Sequence, residues 1–297
     1  MSTGAMSTGA MTIGMRALRA LASVMLWSLM ASLTASGAMA QGSHSTGWSM
    51  GHNSKVRLLS DGYRGLTDTG TFHAGVEIQL QPGWKTYWRM PGDAGVPPNF
   101  DWSASQNVAE ATVLYPAPIR MPDQGGEAIG YKTAVTFPVR VRPKDKSQPV
   151  TLVLALEFGV CRDICIPTEA KLSLTLIPAP LLILRDQVIA AALLQVPRDA
   201  SNRQFGDPEF GEIVAQLLSA QPSITIKTKG VADLFIEAPD GIFLPQPKAV
   251  SPPAPDGSAL FIVDLSKAPD AKDLPGKPLR ITAVNASGAV ETTWVVK

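Results

Sequence analysis

The 297-residue sequence holds two cysteines and three histidines, and it has no cluster of basic residues. Beyond residue 40 it also lacks any apolar run of spanning length that is free of charge and proline. Each absence removes a class of function. Two cysteines in so long a chain do not make the disulfide-dense framework of a small secreted scaffold. His44, His52 and His73 form no ligand motif. There is no G-x-S-x-G elbow, no H-E-x-x-H pair and no phosphate-cradling glycine loop, and "GDAG" at 92–95 reads as a turn. The longest later apolar stretch, "PAPLLILRDQVIAAALLQVP", is broken by Arg185 and Asp186, which argues against a membrane insertion of the mature chain. The missing basic patch argues against nucleic acid as a partner.

The first forty residues are different in kind. They contain no acid and only two basic residues, Arg16 and Arg19, followed by "ALASVMLWSLMASL" and "TASGAMA". That order is a secretory signal peptide, with Ala38 and Ala40 as the small residues before a cleavage that leaves Gln41 first. The repeated "MSTGA" at the start fits an upstream start codon, with Met11 or Met15 as the true one. Without Arg16 and Arg19 the chain has 24 basic and 25 acidic residues, a formal charge of −1. Export places the cysteines in an oxidising compartment, where a pair can be a structural bond, a metal clip or a redox couple.

The body of the chain predicts an all-β fold. "KVRLLS", "FHAGVEIQLQ", "ATVLYPAP", "AVTFPVRVRP", "VTLVLALEFGV" and "AKLSLTLIP" alternate in the period of two that half-buried strands require, with Gly, Pro and Asp between them. Residues 41–180 therefore read as an antiparallel, immunoglobulin-like β-sandwich. "RDQVIAAALLQVP" and "PEFGEIVAQLLSA" have helical spacing and follow the prolines of a junction near 180. Strands return in "SITIKTKG", "ADLFIEAP", "SALFIVDLS", "PLRITAVNASG" and "AVETTWVVK", so 181–297 reads as a second, smaller β-sandwich with a helical linker.

The cysteines lie in "VCRDICIP", Cys161 and Cys165 with three residues between them. In one continuous strand they would stand about 13 Å apart, beyond the roughly 7 Å reach of a disulfide. If they pair, "RDI" turns and the pair sits at a hairpin tip on the edge of the sandwich. A bond closing so short a loop removes little chain entropy, about 2 kcal/mol. Exposed bonds in tight turns are the more reducible class, which favours exchange chemistry. Arg162 favours a thiolate and Asp163 opposes one.

Taken in order, "PGWKTYWRMPGDAGVPPNFDWSASQNV", "YPAP", "GYKTAVTFPVRV" and "VCRDICIP" resemble the periplasmic N-terminal region of the suppressor of copper sensitivity B (ScsB) branch of the DsbD thiol:disulfide interchange family. The likeness is strong over about 47–178 and weaker over "DLFIEAPDG" and "PLRITAVNASGAVE". It implies an immunoglobulin-like sandwich whose Cys161 and Cys165 shuttle between dithiol and disulfide without a cofactor. It also implies that Cys165 forms the mixed disulfide with thioredoxin-like periplasmic partners and that Cys161 resolves it. In the family a membrane domain supplies the electrons. Here the sequence ends at Lys297 with no such module, so the expected donor is a membrane protein acting in trans. The pair is spaced as in the ScsB branch and more closely than in DsbD itself.

Two further groups take roles from the same resemblance. Of Trp84, Tyr87 and Trp88, whose ordinary role is core packing, Tyr87 is the candidate to set a hydroxyl beside the cysteines, and Tyr131 is a second. "MPDQGGE" at 121–127 falls where DsbD-like domains carry a cap loop over the thiols, which nominates Met121, Asp123, Gly125 and Gly126. Its ordinary alternative is a glycine-rich surface loop. A copper-handling protein remains the rival reading, because Met50, Met90 and Met121 are soft donors that suit Cu(I) alongside the cysteines. The other rival is a binding module with a structural disulfide. The expectation is a periplasmic thiol–disulfide exchange protein.

Overall fold

In the computed structural model, residues 1, 4, 44–63, 70–93, 95–123, 126–178, 186–239 and 241–297 are described. Most of the expected signal peptide, its expected cleavage site, Gly125 and the 179–180 junction lie outside them. Residues from 44 onward belong to one compact unit.

The first eleven strands are β1 (Ser49–Gly51), β2 (Ser54–Ser60), β3 (Phe72–Leu80), β4 (Lys85–Gly92), β5 (Asn99–Asp101) and β6 (Val108–Val113), then β7 (Ile119–Asp123), β8 (Gly126–Lys132), β9 (Ala134–Pro143), β10 (Val150–Cys161) and β11 (Cys165–Leu176). They form two sheets. One runs β1-β2-β3-β9-β6; the other runs β11-β10-β4-β8-β7, with β5 also paired to β10. Alternation decides which side chains meet. Along β10, Leu152, Leu154, Leu156, Phe158 and Val160 turn inward, opposite Leu174, Leu172 and Ala170 of β11. From the other sheet Val76, Ile78, Phe137 and Val139 close the same core.

Helix α1 (Gln187–Gln195) follows, capped by Asp186, whose carboxylate accepts from the Val188 and Ile189 amides, and it buries Ile189 and Ala192. Eight more strands complete the chain: β12 (Arg198–Asp199), β13 (Glu209–Gln216), β14 (Ser223–Lys229), β15 (Asp233–Glu237), β16 (Lys248–Ala249), β17 (Ser258–Asp264), β18 (Pro278–Val284) and β19 (Ala289–Val295). Sheets β12-β19-β18-β15 and β13-β14-β17-β16 pack around Ile226, Ile236, Val263 and Ile281. The structure is thus all-β, built of sandwiches with one α-helix among the described residues.

Two expectations need correction. "PEFGEIVAQLLSA" is not a helix: it contains β13, an edge strand on β14. Its register shifts between Phe210 and Ile213, and this bulge separates apolar positions by three, which imitates a helical period. "MPDQGGE" is not an open loop either. Met121–Asp123 and Gly126–Glu127 are strand, paired Met121 to Ala128, Pro122 to Glu127 and Asp123 to Gly126.

Candidate redox site

Cys161 ends β10 and Cys165 begins β11, and the two are direct cross-strand partners joined by a disulfide, with Cα atoms 4.2 Å apart. Residues 162–164 make the turn, closed by a hydrogen bond from the Arg162 amide to the Ile164 carbonyl. β11 is the last strand of its sheet. The two cysteines nevertheless differ sharply in surroundings: Cys161 is 1% exposed, whereas Cys165 is exposed. Cys161 also pairs with Lys85 of β4 and packs with Tyr87, Met121 and Ala128.

Tyr87 reaches the pair from β4. Lys85 and Tyr87 share one face of the strand, while Thr86 and Trp88 take the other. The Tyr87 hydroxyl lies 3.0 Å from Cys165 Sγ. A disulfide sulfur carries no proton, so the hydroxyl is the donor. Burial, aided by the negative charge of Asp123, pushes its pKa up to about 12, so the phenol keeps its proton at neutral pH. The ring is held by two close backbone approaches. A Cβ at Gly159 would stand 3.2 Å from its Cδ2 and Cε2 atoms, and a Cβ at Gly95 would overlap its other edge. The Thr86 hydroxyl donates to the Gly159 carbonyl at 2.9 Å, fixing β4 against β10.

Tyr131, the second aromatic candidate, is not beside the sulfurs. It is cross-strand to Thr86, so alternation turns it to the inner face, where its hydroxyl donates to the Pro116 carbonyl at 2.8 Å and its ring meets Phe137. Burial raises its pKa well above the ordinary tyrosine value.

The cap candidates form the β7–β8 hairpin. Met121 is buried against Cys161 and Tyr87, Asp123 is ion-paired with Lys85 at 2.8 Å, and Gly126 has φ 131°. The hairpin covers Cys161 and leaves Cys165 open. At the turn, Arg162 and Asp163 pair with each other at 2.9 Å in solvent, which blunts the opposing pulls on the thiols expected of them. Arg162 also lies over the Trp84 ring at 5.4 Å.

Sequence reasoning missed Gly95, Gly159, Thr86 and Lys85. Gly95 was hidden in a stretch that reads as a plain turn, and the role of the other three appears only once β4, β8 and β10 are in register. Met50 is exposed, and Met90 accepts a hydrogen bond from Gln246 at 3.7 Å, so of the three methionines Met121 packs against a cysteine. No group of three or more His, Cys, Asp or Glu side chains suited to a metal ion occurs among the described residues, nor does a helix long and apolar enough to cross a membrane.

Comparison with known proteins agrees with this geometry. Residues 62–177 match the family described as thiol:disulfide interchange protein DsbD, N-terminal. The fold is similar to the crystal structure of the N-terminal periplasmic domain of ScsB from Proteus mirabilis, with a TM-score of 0.64 and 24% identity over 85% of this chain and 98% of that one. No curated protein matches. Residues 62–177, which hold most of the first sandwich and the cysteine hairpin, thus carry the likeness to the DsbD N-terminal family, and the fold of the wider chain is shared with the ScsB domain.

Proposed function

We propose that Cys161 and Cys165 are a working redox couple that passes electrons to disulfide-bearing, thioredoxin-like proteins in an exported compartment and is re-reduced by a membrane-bound donor. The asymmetry of exposure carries the reading. In the reduced protein the exposed Cys165 thiolate attacks a partner disulfide, forming one intermolecular S–S bond and releasing one partner thiolate, which takes up a proton. The Cys161 thiolate then attacks Cys165 Sγ. The intramolecular bond forms, the mixed disulfide breaks, and the second partner sulfur leaves as a thiol. Two electrons and two protons have passed to the partner, and the protein is left oxidised. Tyr87 donates to the Cys165 sulfur throughout, which favours its thiolate.

The test is trapping. Cys161→Ser should accumulate a mixed disulfide through Cys165 when mixed with an oxidised thioredoxin-like protein, and Cys165→Ser should accumulate at least tenfold less. Equal trapping would overturn the assignment. The Cys161–Cys165 potential, measured against glutathione, should lie between about −300 and −100 mV, and a much lower value would favour a structural bond.

One observation favours a second reading. Met121 packs against Cys161, so the reduced pair and a thioether lie close together, a soft set that suits Cu(I). The expected result of Cu(I) titration is no binding that survives a strong chelator. Tight one-to-one binding, lost in both cysteine variants, would promote copper handling.

A further inference from the structure

β7 is the last strand of its sheet: β8 pairs with one of its edges, and the other has no strand partner among the described residues. Support from β4 is interrupted too. Between Tyr87 and Gly92 β4 advances five positions while β8 advances two, from Gly130 to Ala128, so residues 88–91 leave the ladder. Those released residues meet the second sandwich. The Trp88 ring is 5.7 Å from Phe235, and Arg89 makes paired bonds to the Glu237 carboxylate, from Nη2 at 2.7 Å and Nε at 2.9 Å. Arg89 also bonds Glu291, and Gln246 donates to Met90.

The hairpin itself is gripped by Arg120 of β7. Its Nη1 donates to Glu127 of β8 at 2.6 Å. Its Nη2 donates to Asp233 at 3.0 Å, to the Leu234 carbonyl at 3.1 Å and to the Pro247 carbonyl at 3.4 Å. The guanidinium lies 5.3 Å from the centre of the Phe235 ring. The next residue, Met121, turns to the opposite face and covers Cys161. One strand therefore carries, side by side, a residue held by the second sandwich and a residue lying on the buried cysteine. Near the turn the hairpin has its own ties, Lys85 to Asp123 and Asp93 to the Glu127 amide, so the second sandwich secures its outer strand rather than its tip.

We propose that the second sandwich is a clamp that holds the β7–β8 hairpin down on Cys161, with Arg120 and Arg89 as positioning residues that couple it to the thiol site. The clamp controls access to the resolving cysteine and leaves the exposed one alone. An Arg fork with several acceptors suits this role, because it fixes orientation as well as proximity.

The experiment removes charge on the clamp side only. Asp233→Asn with Glu237→Gln is introduced into each single-cysteine background, and alkylation of the remaining reduced thiol by iodoacetamide is timed. The reagent needs no protein partner, so the outcome does not depend on the exchange reading above. We expect Cys161, measured in Cys165→Ser, to react at least fivefold faster, Cys165, measured in Cys161→Ser, to change less than twofold, and amide exchange over 119–132 to rise. Asp233→Glu with native Glu237 should return Cys161 close to its original rate. If the double variant does not fold by circular dichroism, Asp233→Asn alone is used, since Arg120 keeps Glu127 and two carbonyls. Unchanged Cys161 reactivity in a folded variant, or an equal rise at both cysteines, would overturn the clamp: the first makes the contacts mere packing, and the second makes the effect a general loosening.

Discussion

Two long hairpins in this molecule are closed in different ways. β18 and β19 pair over seven residues each, and their turn is shut by Asn285, whose Oδ1 accepts from the Ser287 and Gly288 amides at 2.8 and 3.0 Å. Its Nδ2 donates to the Gly206 and Gly230 carbonyls. β10 and β11 pair over twelve residues each, and their turn carries the disulfide. The longer hairpin has less need of a covalent closure, because its ladder and its inward leucines already fix the register. A side chain that hydrogen-bonds the backbone suffices for the shorter one. The difference teaches that the bond at 161–165 adds little to what holds β10 to β11, and that its place on an edge strand beside Tyr87 suits chemistry.

The predictions put that comparison under strain, beginning with the largest effect. Leu154→Ala, which empties a fully buried core position of β10, should cost about 3 kcal/mol in a denaturant titration. Replacing both cysteines by serine should cost about 2 kcal/mol or less, and amide exchange along 150–160 and 166–176 should stay protected. If that variant loses its β10–β11 protection, the bond holds the hairpin and the comparison fails. Tyr87→Phe deletes the donor to Cys165 and leaves the ring in place. It should slow exchange with an oxidised partner about tenfold, equivalent to about 1.4 kcal/mol, and raise the Cys165 pKa as read from the pH dependence of alkylation. Asn285→Ala should cost about 1 kcal/mol and loosen its own turn and the loops at Gly206 and Gly230 that it ties, seen first as faster amide exchange at Ser287 and Gly288.

A last effect concerns pH. The folded pKa of Tyr87 is raised, to about 12 against an ordinary value of 10, so above pH 10 the folded state binds more protons than the unfolded one. Its contribution is complete below pH 10 and is lost as pH rises from 10 towards 12. The fall in stability over that window should be smaller in Tyr87→Phe, and an identical fall in both proteins would remove Tyr87 as its cause.

Much of this was legible beforehand. The alternation in "VTLVLALEFGV" and "AKLSLTLIP" predicts β10 and β11, and the reach of a disulfide predicts the turn between them. The helix after the junction follows from its apolar period, whereas Asp186 is read in the sequence only as a charge that breaks an apolar run, and its capping role appears in the structure. β13 was not legible, because a bulge changes the spacing of apolar residues without changing the strand. The β7–β8 hairpin was hidden by its prolines and glycines, which usually mark loops. Tyr87 and Tyr131 look alike in sequence. Only strand parity separates them, and parity depends on where β4 begins.

Under the proposed exchange, the direct pairing of Cys161 with Cys165 bears on how a partner would recognise this protein. Since the strands are already aligned by the ladder, we expect breaking the bond to need no rearrangement beyond the turn, so that the oxidised and reduced forms would show a partner almost the same silhouette. Shape then offers no signal that a reaction is finished. Spent protein should compete with fresh protein for the same docking site, and adding the oxidised form should slow the reduced form's reaction with a partner in the manner of a competitive inhibitor. Traffic through the site would then be governed by the ratio of the two forms, so the rate of recharging sets the pace of delivery.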